Sequence, residues 1–225
     1  MNCILVLGTG NLKKRQELEA LLSAGGSNID LRTLKDFPNA LDVVEDGLTF
    51  AENACKKASE QAKHLNQWVL AEDSGLTVDC LKTEPGVYSA RFAALKQMQR
   101  ENGWSTLVEA AKAHPDVHSS DDDNNRMLLD VLKDASLDQR AAQYNCYMAL
   151  SNPQGEIVAQ TNGYCRGRIL AQPYGTNGFG YDPYFEIVEL HQTFGMLAPA
   201  VKSCISHRAR ASRQMIPLLL KFLGR

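Results

Sequence analysis

Trp68-Val69-Leu70-Ala71 is an apolar run of strand length that ends in two adjacent carboxylates, Glu72 and Asp73, followed by Ser74-Gly75. The run reads as a short buried strand, Ser-Gly as a turn, and Leu76 to Val78 as a second short strand. Carboxylates at the mouth of a buried strand are costly unless something pairs with them. In an open α/β sheet, the carboxyl end of a strand is also where ligands bind. Two readings of Asp73 follow. It caps the next backbone amides of a turn, or it belongs to a metal or acid–base site. The stretch alone leaves both open.

A chain of 225 residues with 44% hydrophobic content can bury one sizeable core, arranged at most in two lobes. A net charge of -2 calls for neither nucleic acid nor an anionic membrane as a bulk partner. No apolar run has the length of a membrane span, and Met1 leads straight into a strand without a signal peptide. The six cysteines, at 3, 55, 80, 146, 165 and 204, form no zinc knuckle or CxxC pair. Cys55, Cys80 and Cys146 sit in core-like patterns, where free cysteine acts as a small hydrophobe. A reduced, cytoplasmic chain is expected.

Cys3 to Leu7 reads as a buried strand. Gly8-Thr9-Gly10-Asn11 and then Lys13-Lys14-Arg15 open a helix with Leu18, Leu21 and Leu22 on its core face. Strand, Gly-rich turn and helix together offer backbone amides and a dipole end to an anion, although neither the Walker A spacing nor a full GxGxxG is present. A helix runs from about Thr49 to His64, with a capping box at Thr49 and Glu52. Its apolar face is Phe50, Ala54, Ala58, Ala62 and Leu65, and Lys56 and Lys57 lie off that face. Ala94 to His118 is polar and amphipathic. His114 and His118 read as surface residues rather than a metal pair, since Pro115 intervenes. Asp121 to Asp123 precede a helical pattern and offset its dipole. Ala142 to Leu150 alternates with period two, Ser151 to Gly155 is a hairpin turn, and Glu156–Thr161 and Gly163–Leu170 read as two further strands. Gly175 to Pro183 is a second Gly-rich loop with interleaved aromatics. Those rings stack on a planar ligand or pin the loop to the core. Ser206-His207-Arg208 introduces a long C-terminal helix in which Pro217 marks a kink or break.

These motifs, in this order, resemble the inosine triphosphate pyrophosphatase family, the non-canonical purine NTP (dITP/XTP) pyrophosphatases. The resemblance rests on Thr9-Gly10-Asn11 with Lys14, and on Glu45-x-Gly47-Leu48-Thr49-Phe50-x-Glu52-Asn53-Ala54. It continues through Asp73-Ser74-Gly75-Leu76, Pro85 to Arg91, Gly175 to Pro183 and Ser206-His207-Arg208. The chain departs from the family at Glu72, where Asp is usual, and at Ala209, where Gly is usual. The connection at about 94–118 is longer than the family's.

The resemblance implies an α/β fold: an elongated mixed sheet with flanking helices, two lobes around a central cleft, in a single domain over residues 1–225. It implies that Thr9, Gly10, Asn11, Lys14 and Lys57 hold a triphosphate, and that Glu45 and Asp73 hold Mg²⁺. Asp73 would accept the proton of the attacking water, and Ser74 would contact substrate. Phe179 would stack on the purine, with Gly180, Tyr181 and Asp182 shaping the nucleoside pocket. Lys202, His207 and Arg208 would close over the base and donate to its 6-oxo group. The implied reaction is Mg²⁺-dependent hydrolysis of ITP, dITP or XTP to the monophosphate and pyrophosphate by a homodimer, with no nucleic acid or membrane partner. A pyrimidine-directed pyrophosphatase of similar architecture, a non-hydrolysing nucleotide sensor and a Rossmann dehydrogenase are the competing readings. Phe179 with Ser206-His207-Arg208 argues against the first, Lys14 kept with Glu45 and Asp73 against the second, and the missing third glycine against the third.

Overall fold

The computed structural model describes residues 4–9, 11–24 and 29–224, and the side chains at 13, 14 and 21–24 lie outside that description. Cys3, Gly10 and the side chains of Lys14, Leu21 and Leu22, all singled out above, therefore fall outside it. A seven-stranded sheet runs in the order β2-β1-β3-β4-β5-β6-β7. Its strands are β1 (Ile4–Leu7), β2 (Asp30–Thr33), β3 (Trp68–Val78), β4 (Ala141–Ser151), β5 (Ile157–Ile169), β6 (Phe185–Ile187) and β7 (Gln192–Thr193). The β2-β1-β3 pairs are parallel, and the β5-β6-β7 pairs antiparallel, so the sheet is mixed. The helices are α1 (Leu12–Ala24), α2 (Phe50–Leu65), α3 (Phe92–Asn102), α4 (Leu107–Ala113), α5 (Asp121–Val131), α6 (Pro199–Ile205) and α7 (His207–Leu223). No described helix is long and apolar enough to cross a membrane.

Contacts divide the chain into two compact units. The first comprises Met1–Ser74, Asn145–Cys165 and Ser203–Arg225. Its sheet is covered on both faces, which explains the near-continuous apolar runs of β1 and β3. Because side chains alternate along a strand, Leu70 faces α7 and α1, joining Leu5, Leu7, Leu18, Met148, Met215 and Leu219. Val69 and Ala71 face α2, where Val6 packs with Ala62, and Ala54, Ala58 and Ala149 pack with Ala71. Small residues on α2 match that face. Each fully buried leucine contributes about 1.5–3 kcal/mol relative to exposure. Gly163 on β5 lies hard against the start of α7: a Cβ there would come within 2.3 Å of the His207 carbonyl oxygen and 2.5 Å of the Ala211 nitrogen.

The second unit comprises Gly75–Tyr144 and Arg166–Lys202. Tyr144, Phe185 and Phe194 form its aromatic centre, with ring centroids 4.6, 5.4 and 5.9 Å apart. Residues 94–118 supply most of α3 and all of α4. His114 and His118 are exposed, with His114 packed on Trp104 at 5.9 Å between rings.

Two expectations about strands are corrected. Glu72 to Gly75 is no turn, because β3 passes straight through it. Thr161 to Gly163 does not divide two strands, because β5 is continuous over 13 residues. Pro217 lies inside the expected long C-terminal helix, α7, which runs on to Leu223. Cys146 and Cys165 are buried, whereas Cys80 is exposed rather than core.

Candidate active site

Alternation along β3 sends its two adjacent carboxylates to opposite faces of the first unit. Asp73, 5% exposed, continues the Val69-Ala71 row towards α2. Its Oδ2 accepts from Asn53 Nδ2 at 3.0 Å, and its Oδ1 accepts from the Ser74 amide at 2.9 Å. Lys57, one turn further along α2, places Nζ 3.7 Å from Asp73 Oδ1 and 2.8 Å from Glu45 Oε2. Burial pushes the Lys57 ammonium down, but the charges of Asp73, Glu45 and Glu72 outweigh it and hold it above its ordinary value. The neighbouring Lys56 points outward to an exposed pair with Asp46. The predicted capping box is present, with Thr49 Oγ1 accepting from the Glu52 amide. Asn53 then bridges two parts of the site, since its Oδ1 also accepts from the Gly47 amide in the loop that carries exposed Glu45. Its sequence signal was present in the motif, but a neutral amide gives no hint that it holds a carboxylate.

Glu72, 1% exposed, continues the Leu70 row towards α7. Arg208 on α7 is fully enclosed and meets it with two bonds, Nε to Oε2 at 3.0 Å and Nη2 to Oε1 at 3.1 Å. The same guanidinium bonds Ser74 Oγ at 3.1 Å and Glu17 of α1. Cys146 Sγ donates to Glu72 Oε2 at 3.1 Å. Burial disfavours the charge on Arg208, but Glu72 and Glu17 more than offset it. Where the motif predicts donation from Arg208 to a 6-oxo group, the structure engages it with the carboxylates of its own unit. Ser74, predicted to meet substrate, accepts from Arg208. His207 is buried at the first position of α7, where Ser206 Oγ caps the helix by accepting from the Ala209 amide at 3.2 Å. The methyl of Ala209, at the family's glycine position, is fully buried. Thr9 follows β1, whose last residue, Leu7, pairs with Leu70 just before Glu72, and its Oγ1 accepts from the amide of exposed Asn11 at 3.2 Å. Glu17 and Cys146 were not foreseen, because their partner lies far away in sequence.

In the second unit the Gly-rich loop divides its aromatics between two jobs. Tyr181 is buried and its hydroxyl donates to the Ser89 carbonyl at 2.8 Å; burial raises its pKa. Phe179 stays half-buried. Asp182 Oδ2 accepts from the Phe179 amide at 2.9 Å and from Lys202 Nζ at 2.7 Å. That ammonium also lies 4.9 Å from the Phe179 ring centroid and 5.6 Å from that of Phe194, within cation–π range. Gly178, at φ +78°, has no room for a side chain, because a Cβ would lie 1.9 Å from Asp182 Oδ2. Gly180, at φ +59°, has open space around it but a backbone that L-residues rarely adopt.

Thus Asn53, Lys57, Glu45 and Asp73 converge in one unit, and Phe179, Asp182 and Lys202 in the other. The Ham1 family model matches residues 5–218. The dITP/XTP pyrophosphatase of Rhodopirellula baltica is 49% identical over 97% of this chain and 94% of its own. The dITP/XTP pyrophosphatase of Nostoc sp. is 39% identical over 100% and 98%. Among solved structures, the Coxiella burnetii HAM1 protein matches with a TM-score of 0.77 at 31% identity, over 97% of this chain and 99% of that one. The Staphylococcus aureus Ham1 protein matches with 0.76 at 31% identity, over the same shares. With a family model spanning nearly its whole length and relatives this similar end to end, the chain belongs to the Ham1 family.

Proposed function

We propose that this protein hydrolyses non-canonical purine nucleoside triphosphates (ITP, dITP and XTP) to the monophosphate and pyrophosphate, with Mg²⁺ as cofactor. The observation that carries the proposal is the convergence of Asp73 and Glu45 on the single ammonium of Lys57. The printed names of the Rhodopirellula and Nostoc relatives support the substrate class. Two carboxylates reaching one cation are an oxygen donor set that fits a hard divalent ion. No group of three or more ligating side chains occurs among the described residues, which suits Mg²⁺, an ion commonly held by one or two carboxylates plus substrate phosphates. When bound, the ion would supply positive charge against the phosphate oxygens.

In this reaction the oxygen of water bonds to the α-phosphorus and the α–β bridging P–O bond breaks, releasing pyrophosphate. Asp73, oriented by Asn53 and the Ser74 amide, takes the water's proton. Lys57, with Thr9, Gly10, Asn11 and Lys14, binds the triphosphate and offsets the negative charge that grows on it. Phe179 stacks on the purine. Lys202 is the donor best placed for a 6-oxo group over that ring, since an ammonium carries three N–H donors and Asp182 accepts from it. A 6-amino group would face that donor with another donor, which a buried site punishes. Gly180, Tyr181 and Asp182 shape the nucleoside pocket. Arg208 acts through Glu72 and Ser74 as a positioning residue. The same proposal treats the 225 residues as one catalytic domain that works as a cytoplasmic homodimer.

Pyrophosphate release from ITP, dITP, XTP, GTP and ATP, with and without Mg²⁺, tests the proposal. Activity should require the metal and favour the non-canonical purines over ATP by about a hundredfold or more in kcat/KM. Comparable rates with ATP and ITP would overturn it.

A further inference from the structure

The three acidic residues that open α5 are not equivalent. Asp123 closes on its own helix, bonding Ser120 and Arg126. Asp121 reaches away: its Oδ2 accepts from the Gly180 amide at 2.9 Å. One helical turn later, on the same face, Asn125 Nδ2 donates to the Gly180 carbonyl at 3.0 Å. Two side chains of one helix thus hold the amide and the carbonyl of a single glycine, the residue next to Phe179. Asn125 is buried, and its Oδ1 accepts no hydrogen bond among the described residues. A buried orphan acceptor is uncommon and calls for a reason. The reason here is orientation: Nδ2 must face the Gly180 carbonyl, and the opposite flip would set oxygen against oxygen.

The rest of the loop is tied just as closely. The Phe179 amide goes to Asp182 and the Tyr181 hydroxyl to the Ser89 carbonyl. Asn124, between the two clamp residues, binds the backbone at Ala90 and Ala93, so α5 also anchors the segment that receives Tyr181. Gly180 is the one link whose own conformation is soft, with a positive φ and open space around it. The turn bond from the Asp182 amide to the Phe179 carbonyl, at 3.2 Å, brackets Gly180, and the two tethers fix its own amide and carbonyl from outside the loop.

We propose that Asp121 and Asn125 are positioning residues for base recognition: by clamping the Gly180 peptide they fix the Phe179 ring beside the Lys202 ammonium, and so set discrimination among purines. This rests on the function proposed above. Loss of the clamp should raise KM for ITP more than it lowers kcat, because the groups around Asp73 are untouched. Misplaced stacking also costs the favoured base more than the disfavoured one.

The test measures kcat and KM for ITP and ATP, and amide hydrogen exchange across 176–184, in wild type, Asp121→Ala/Asn125→Ala and Asp121→Asn. The double variant should lose about tenfold or more of the ITP/ATP ratio of kcat/KM, the scale of an ångström-level misplacement, and the Gly180 amide should exchange faster. Asp121→Asn, which keeps an acceptor oxygen, should retain most of the ratio. Partial unfolding removes active enzyme for both substrates alike and leaves the ratio unmoved. An unchanged ratio, or unchanged exchange at Gly180, overturns the clamp. A wild-type enzyme without ITP preference overturns the proposed function instead, and the exchange data then decide the clamp by themselves.

Discussion

Glu72 and Asp73 are neighbours on one strand, both buried, yet their surroundings have little in common. Glu72 meets a guanidinium through both oxygens and a thiol through one of them. Asp73 meets a neutral amide, a backbone N–H, and an ammonium 3.7 Å away that lies closer to exposed Glu45. One carboxylate is neutralised in a fixed fork; the other is oriented by neutral donors, with its ammonium at longer range. A saturated ion pair resists change, whereas a carboxylate with remaining acceptor capacity can take a proton or share a cation. The strand separates a guanidinium-bound carboxylate from an amide-oriented one by a single residue, and the pleat keeps the two apart.

The contrast can be broken from the Glu72 side, where the largest effect is expected. Glu72→Gln keeps the shape but removes the charge that meets Arg208 through both carboxylate oxygens. Removing one member of a buried pair costs about 3–5 kcal/mol, so the thermal midpoint should fall by about 6–20 °C for a chain of this size. Calorimetry that finds wild-type stability would show that the pair is replaceable. The converse change comes next in size. Asp73→Asn should lower ITP turnover by roughly a hundredfold or more, the scale of lost general-base catalysis, while the midpoint stays within about 5 °C. A folded Asp73→Asn enzyme with most of its activity would move the chemistry to another carboxylate.

The smallest effect concerns Lys57 and sharpens the comparison through pH. Its folded pKa is raised above the ordinary value of 10.5. The stability it contributes is therefore fully present below that value and is lost as pH rises through the higher folded pKa. Thermal midpoints of wild type and Lys57→Met should keep a constant difference from pH 7 to about 10 and converge above it. A difference that already shrinks between pH 7 and about 10 would mean that Asp73 and Glu45 do not hold the ammonium charged.

Local features were legible in the sequence and distant ones were not. Thr49 and Glu52 announce a helix start because a capping box closes within four residues, and the β4 alternation is visible because its period is two. Glu72-Asp73-Ser74-Gly75 misled, since polar residues after an apolar run signal a turn unless each charge finds a partner. Those partners, Arg208 and Lys57, come from helices 136 residues later and 16 earlier in the chain. Asp121 was assigned to its own helix dipole for the same reason: Gly180, the group it binds, is 59 residues away. Phe179 was visible as a stacking candidate, but the division of labour between it and Tyr181 depends on the Ser89 carbonyl.

Gly163 carries a consequence for this charge pair although it has no functional group at all. With the α7 backbone sitting where its side chain would be, the missing methyl acts as a spacer of zero thickness between strand and helix. Even an alanine there would force the first turn of α7 outward, and Arg208 is the second residue of that turn. A guanidinium fork set at 3.0 and 3.1 Å from Glu72 has little tolerance for such a shift. The alignment of the site is thus gauged partly by a residue that touches no charge, and whose contribution is the absence of an atom.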